Sequence, residues 1–248
     1  MARRAAGAQD AAMNPVRSRA WLLALVAGIA MLVAACGSKE PAQRAAFTQF
    51  LQTRILDRPG VRVPRPTEEE AASFGPYAAH YAVITEFTDG MNDGVGRPMS
   101  DIVRRGSLRS VSDVIARRDD LKTVRESLGG LRATLDRQLA QADAAHAKLE
   151  QPADLKAVYD KAYDRTVTTP AQTFKEVFPA VDATLAQALK VADFLHRHQA
   201  AVQVSGASVA VRDAAVLNEL NGMLQELQRS SAALAEAQRK LQAVMRGA

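Results

Sequence analysis

From Leu121 onward, apolar side chains recur at alternating steps of three and four. Leu121, Val124, Leu128, Leu131, Leu135, Ala142, Ala145 and Leu149 form the series, with Gln138 its polar exception. Only an α-helix, at 3.6 residues per turn, brings such positions onto one face. A stripe this long needs another helix to cover it, and the chain supplies several. Phe47, Phe50, Leu51 and Ile55 form one; Phe74, Tyr77, Tyr81, Ile84 and Met91 another; Leu155, Val158, Tyr159 and Tyr163 a third. Near the end, Leu217, Leu220, Leu224, Leu227, Leu234 and Leu241 approach heptad spacing. They are expected to pack within the chain, because matching stripes are present to receive them, with a coiled-coil partner as the alternative. Aromatic residues make up only 5% of the chain, and its 48% apolar share is swollen by alanine, which favours helices over sheets. The expected fold is all-α: an elongated bundle of long antiparallel helices.

Punctuation sets the boundaries. Pro41 opens the first helix, and Pro59 with Gly60 stops it. "VRVPRP" (61–66) reads as extended, and Thr67 and Glu70 have the spacing of a capping box. Gly75 and Pro76 separate the next two helices, and Gly90, Gly94, Gly96 and Pro98 are expected to weaken the second toward its end. Pro152 starts a helix. Thr169 followed by Pro170 looks like an N-cap and first-turn pair opening another toward His198, with Pro179 kinking or dividing it. "AVQVSGASVAV" (201–211) alternates around Ser205 and Gly206, the mark of one short β-hairpin.

The N-terminal region carries the most specific signal. Arg17 and Arg19 precede an unbroken apolar run, Ala20 to Val33, which fits the apolar core of a secretory signal peptide. At 14 residues it is short of the roughly 20 that a membrane span needs. The run ends in Val33, Ala34, Ala35 and Cys36, and "VAAC" resembles the lipobox of bacterial lipoproteins, in which a peptidase cuts on the amino side of the cysteine. That resemblance implies cleavage between Ala35 and Cys36 and acyl chains, palmitate among them, on Cys36. Two or more buried chains anchor a protein stably to a membrane. It also implies that no free thiol remains. Gly37, rather than an aspartate, directly follows the cysteine, which favours delivery to the outer membrane over retention in the inner one. The expected organisation is a lipoprotein signal peptide over 1–35, with Met13 as an alternative start, a lipidated tether over 36–40, and a single helical periplasmic domain over 41–248.

Charge narrows the partners. The chain carries 32 Lys+Arg against 27 Asp+Glu, a net +5, and removing the first 35 residues lowers this to +2. The basic balance therefore belongs largely to the leader, and no nucleic-acid partner is expected.

Few residues suggest chemistry. His196 and His198 stand two apart, about 200° around a helix, so they cannot chelate one metal and are expected to face solvent. Asp143 and His146, three apart, are expected to make a structural contact. Thr166, Thr168 and Thr169 stand ahead of the expected helix start, where capping explains them and anion binding is the sharper alternative. Arg97, Arg104, Arg105, Arg109, Arg117 and Arg118 face only Asp101 and Asp113, a solvated basic face that could also touch acidic headgroups. No phosphate-cradling, zinc-protease or serine-nucleophile motif occurs, so no catalytic residue, metal or cofactor is expected.

Six blocks then resemble, in order, the YiaF-like bacterial lipoproteins, a family built on a domain of unknown function. They are "QRAAFTQFLQ" (43–52), "FGPYAAHYAVI" (74–84), "GRP" (96–98), "QADAAHAKLE" (141–150), "DLKAVYDKAY" (154–163) and "VTTPA" (167–171). The resemblance implies a mainly helical, lipid-anchored envelope protein and brings no activity with it. The functional expectation is a non-enzymatic binding, scaffold or envelope-maintenance lipoprotein, attached to the membrane by Cys36 and meeting an envelope protein or lipid; its oligomeric state is left open. One alternative is a hydrolase or other enzyme acting on an envelope polymer, which would need a pocket joining His146 to the Thr166–Thr169 segment. Another is an apolar ligand held between helices, which a cavity lined by Phe, Leu and Tyr would favour.

Overall fold

The computed structural model describes residues 39–106, 116–205 and 208–247. Helix α1 (Glu40–Leu51) begins with Pro41 in its first turn and runs into a π-helical turn, Gln52–Leu56. Residues 57–67 cross to α2 (Glu68–Phe74) without regular structure. The capping box forms as expected: Thr67 Oγ1 accepts from Glu70 N at 3.1 Å, and Glu70 Oε2 accepts from Thr67 N at 2.8 Å.

Helix α3 (Tyr77–Met91) continues through a second π turn, Asn92–Gly96, into α4 (Arg97–Gly106). The glycines expected to weaken this helix instead admit a neighbour. A Cβ on Gly90 would lie 2.6 Å from Gln138 Oε1, and one on Gly94 3.0 Å from Thr134 Cγ2. Both neighbours belong to α5 (Arg118–His146), the long helix read from the leucine stripe. Within α5 the buried positions are Leu121, Leu128, Leu135, Leu139 and Ala142, so Leu139 takes the inward place beside the polar Gln138.

Helix α6 (Ala153–Tyr163) passes through a third π turn, Asp164–Thr168, into α7 (Thr169–Arg197). This corrects the reading of Thr169 as an N-cap. Its backbone is already helical, at φ −61° and ψ −47°, because the π turn runs straight into α7, which begins at Thr169 itself. The physical reason is the π turn. A proline ring clashes with the carbonyl four residues back, but in both cases the residue before the proline donates five residues back, Arg97 N to Asn92 O and Thr169 N to Asp164 O. The widened turn gives the rings of Pro98 and Pro170 room inside a continuous helix. Pro179 also lies inside α7 without dividing it.

Strands β1 (Val202–Ser205) and β2 (Ser208–Val211) pair antiparallel, Val202 opposite Val211 and Ser205 opposite Ser208, which is the expected hairpin. Asp213 then caps α8 (Ala214–Arg246), accepting from Ala215 N at 2.7 Å and Val216 N at 3.2 Å. With 33 residues at 1.5 Å each, α8 spans about 50 Å. It packs along α7, α7 along α5, and α5 along α3.

The fold is an all-α elongated bundle, and its core is strung along its length. One end buries Phe47, Phe50, Ile55, Tyr81, Tyr159 and Tyr163; the middle buries Val95, Leu128, Leu135 and Phe178; the far end buries Phe194, Leu195, Val202 and Leu220 beside the hairpin. The α8 stripe packs within the chain as expected, although Leu220 alone among its leucines is fully buried and Leu217 stays 40% exposed. No described helix is long and apolar enough to cross a membrane.

Candidate functional site

The sequence-nominated residues do not gather in one place. Val33, Ala34, Ala35, Cys36 and Gly37 lie outside the described residues, as do Arg109, Asp113 and the side chains of Arg104 and Arg105. Of the basic stretch, Arg97 pairs with Asp93 at 3.0 Å and Arg118 with Asp193 at 2.7 Å, while Arg117 reaches Asp120 at 3.5 Å. His196 is exposed as expected. His198 is half-buried instead, its ring centroid 4.3 Å from that of Phe194 at the end of α7.

The Asp143 to His146 contact does not form. His146 Nε2 stands 2.9 Å from Asp160 Oδ1 on α6, and Asp143 instead accepts a 2.8 Å bond from the Tyr163 hydroxyl. Both acids are within local reach of the end of α5, and packing decides between them. The His146 ring lies over Tyr163, with centroids 4.1 Å apart, which aims Nε2 at α6. Desolvation pushes the Asp160 carboxyl upward, but hydrogen bonds from Lys156 and His146 outweigh it and hold the group below the usual carboxylate range. Burial, then the bond to Asp143, raises the Tyr163 phenol well above its ordinary value. These groups join the end of α5 to α6.

The site with capacity for a ligand lies elsewhere, lined in part by residues of two π turns. The turn Asn92–Gly96 contributes Asn92 and Gly96, the turn Asp164–Thr168 contributes Thr166, and between them opens an apolar cleft of about 330 Å³. Phe87 and Met91 of α3 form one side, with Pro170, Ala171 and Phe174 of α7 behind them. Val61 and Val63 of the extended segment form a second wall, and Leu241 and Met245 close the cleft from the last turns of α8. None of the described residues lining it is titratable. Thr166 is buried, and its hydroxyl is spent on Ala162 O at 2.7 Å. The lining is mostly apolar, which suits an apolar group better than a charged one.

Two backbone devices hold the walls together. Val61 N donates to Met245 O at 3.0 Å, tying the extended segment to α8. Arg165, from the third π turn, donates to Leu56 O at 2.8 Å, to Gly60 O at 3.2 Å and to Arg58 O, gathering the turn that leads into that segment. The sequence suggested an apolar ligand between helices only as an alternative, without locating the cleft, and Arg165 was not singled out. The prolines of "GRP" and "VTTPA" mark the two π turns in the sequence but do not by themselves reveal the cleft.

A family model described as "Protein of unknown function (DUF3053)" matches residues 22–242. The chain is 34% identical over 179 residues to the uncharacterized protein YiaF of Escherichia coli strain K12, which covers 71% of this chain and 75% of that one. The YiaF proteins of Escherichia coli O157:H7 and of Shigella flexneri match to the same extent. No solved structure matches.

Proposed function

The chain belongs to the DUF3053 family of proteins of unknown function, and from that premise we infer that it is an envelope lipoprotein that works by non-covalent binding in the cleft between α3, α7 and α8. The observation that carries the binding reading is the cleft itself: about 330 Å³, walled by Val63, Phe87, Met91, Phe174 and Leu241, with residues of two π turns at its lining. Support for the tether is the run Ala20–Val33 leading into Val33, Ala34, Ala35 and Cys36. On this reading Cys36 carries the acyl chains, the helical part faces the periplasm, and Gly37 directs the protein to the outer membrane. An enzyme acting on an envelope polymer finds less support. Thr166 faces the apolar cleft, whereas His146 packs on Tyr159 and Tyr163 and does not line it.

Photo-methionine incorporated in place of methionine tests the cleft, because Met91 and Met245 both line it. Irradiating cells that express the full chain should attach a bound molecule at these two positions, and widening Ala171 to Trp should suppress the capture. A chain that captures nothing at Met91 or Met245 at normal abundance refutes the binding reading. Separately, Cys36→Ala should abolish incorporation of labelled palmitate and release the protein from the membrane fraction; undiminished incorporation refutes the tether.

A further inference from the structure

Next to the wall formed by residues 61–63, and sharing Val63 with it, the molecule changes character. Side chains alternate across an extended backbone, so Val61 and Val63 face the apolar cleft while Arg62 turns the other way. There a second cleft, about 670 Å³, is lined by Arg54, Arg58, Arg62, Val63 and Pro64. Val63 borders both.

Arg58 and Arg62 lack the carboxylate partner that several other arginines have. Arg65 is paired with Asp89, Arg97 with Asp93, Arg118 with Asp193 and Arg125 with Asp182. Arg58 and Arg62 are exposed, and each spends only its Nε on a backbone carbonyl, Thr53 O at 3.2 Å and Pro59 O at 3.4 Å. Neither forms an ion pair with a described residue. The nearby carboxylate of Asp57 accepts from Gln52 at 2.7 Å, and Arg54 is shared with Glu70 at 3.9 Å. Two guanidinium groups thus keep their outer N–H donors available beside a slot for hydrocarbon. Guanidinium groups suit carboxylate and phosphate oxygens, which they bind with charge-assisted hydrogen bonds.

From this juxtaposition we propose that the protein binds a free, single-chain anionic amphiphile, its hydrocarbon in the cleft between Val63, Phe87, Phe174 and Leu241 and its anionic head on Arg58 and Arg62. The apolar cleft lies near the small end of the range for ligand sites, roughly 300 to 1,000 Å³, which suits one chain rather than the two or more of a bilayer lipid. The proposal rests on the binding reading above and specifies its ligand class. The head sits outside the hydrocarbon slot, so chain and head are recognised by different residues.

The test uses a dodecanoate probe carrying a diazirine and an alkyne, added to membranes from cells expressing the full chain. Label should map to peptides containing Met91, Phe174 and Met245. It should be competed by unlabelled dodecanoate about tenfold better than by dodecanol, the gain of one to two charge-assisted hydrogen bonds, and not by inorganic phosphate. Arg58→Gln with Arg62→Gln should lower the apparent affinity for dodecanoate about tenfold and leave dodecanol unchanged, while Ala171→Trp should remove both. Equal competition by dodecanol and dodecanoate, or label outside those peptides, overturns the proposal, as does stronger protection by phosphatidylglycerol vesicles than by dodecanoate monomer. A chain that rejects the probe but still captures another molecule through photo-methionine at Met91 or Met245 refutes the amphiphile and leaves the binding reading standing; one that takes neither refutes both.

Discussion

Gly60 and Gly247 meet backbone to backbone, both at φ +75°, where the turn after α1 abuts the end of α8. A Cβ on Gly60 would stand 2.5 Å from Met245 O, the carbonyl that accepts from Val61 N. The left-handed conformation costs a residue other than glycine roughly 1–2 kcal/mol before any clash. Gly60→Ala should therefore destabilise the protein by at least that amount and detach the end of α8 from Val61. Chemical denaturation gives the first, and faster amide exchange at Val61 the second. Unchanged exchange there would contradict the role assigned to this contact.

Arg165 should not be replaceable by lysine. Its guanidinium spans the carbonyls of Leu56, Arg58 and Gly60, and an ammonium lacks the planar fork to bridge all three. Losing charge-assisted bonds of this kind costs about 1.5–3 kcal/mol, so Arg165→Lys and Arg165→Ala should be similarly destabilised in urea. A lysine variant as stable as the parent would show that only the charge matters.

The leucine stripes divide into core and surface, and single substitutions should report the division. Leu135 is fully buried, so Leu135→Ala should cost about 2–5 kcal/mol through the cavity left behind. Leu217 is 40% exposed, and Leu217→Ala should change stability by no more than about 0.5 kcal/mol. Thermal melts of the two variants side by side decide the matter.

Stability should fall as the solution is acidified from pH 7.5 to 5.5. Burial lowers the His80 pKa below its ordinary value, and its Nδ1 lies 3.0 Å from Gln151 Nε2. A lowered folded value means that the unfolded chain takes up the proton first, near pH 6.5. The stabilisation is present above that value and is lost as pH falls through the folded one. His80→Gln should flatten the dependence of melting temperature over this interval. An identical slope in the variant would assign the effect to another group.

Asp160 should govern a separate, more acidic window. Its carboxyl lies below the usual range because the bonds from Lys156 and His146 outweigh the opposing effect of burial. Its contribution is present above the unfolded carboxylate value, roughly pH 4, and lost as pH falls through the folded one. Asp160→Asn should therefore be less stable than the parent at pH 7, with the gap narrowing below about pH 4. Denaturation midpoints across pH 2.5 to 7 measure this, and a gap that stays constant would rule Asp160 out.

Helix positions, the capping box at Thr67 and Glu70, the hairpin at 202–211 and the all-α class follow from the sequence alone, because they depend on side-chain period and on groups within a few residues of each other. The partner of His146, the buried place of Leu139, the passage of helices through Pro98 and Pro170, and the cleft were decided only by the tertiary structure. Each depends on groups brought together by packing. His146 had acids both three and fourteen residues away, and its stacking on Tyr163 selected the second. A proline within helical periodicity is compatible with a new helix or with a widened turn, and local propensity does not choose between them. Val63, Phe87, Phe174 and Leu241 become walls of one cleft because three helices and an extended segment converge there, across separations over which no periodicity carries information.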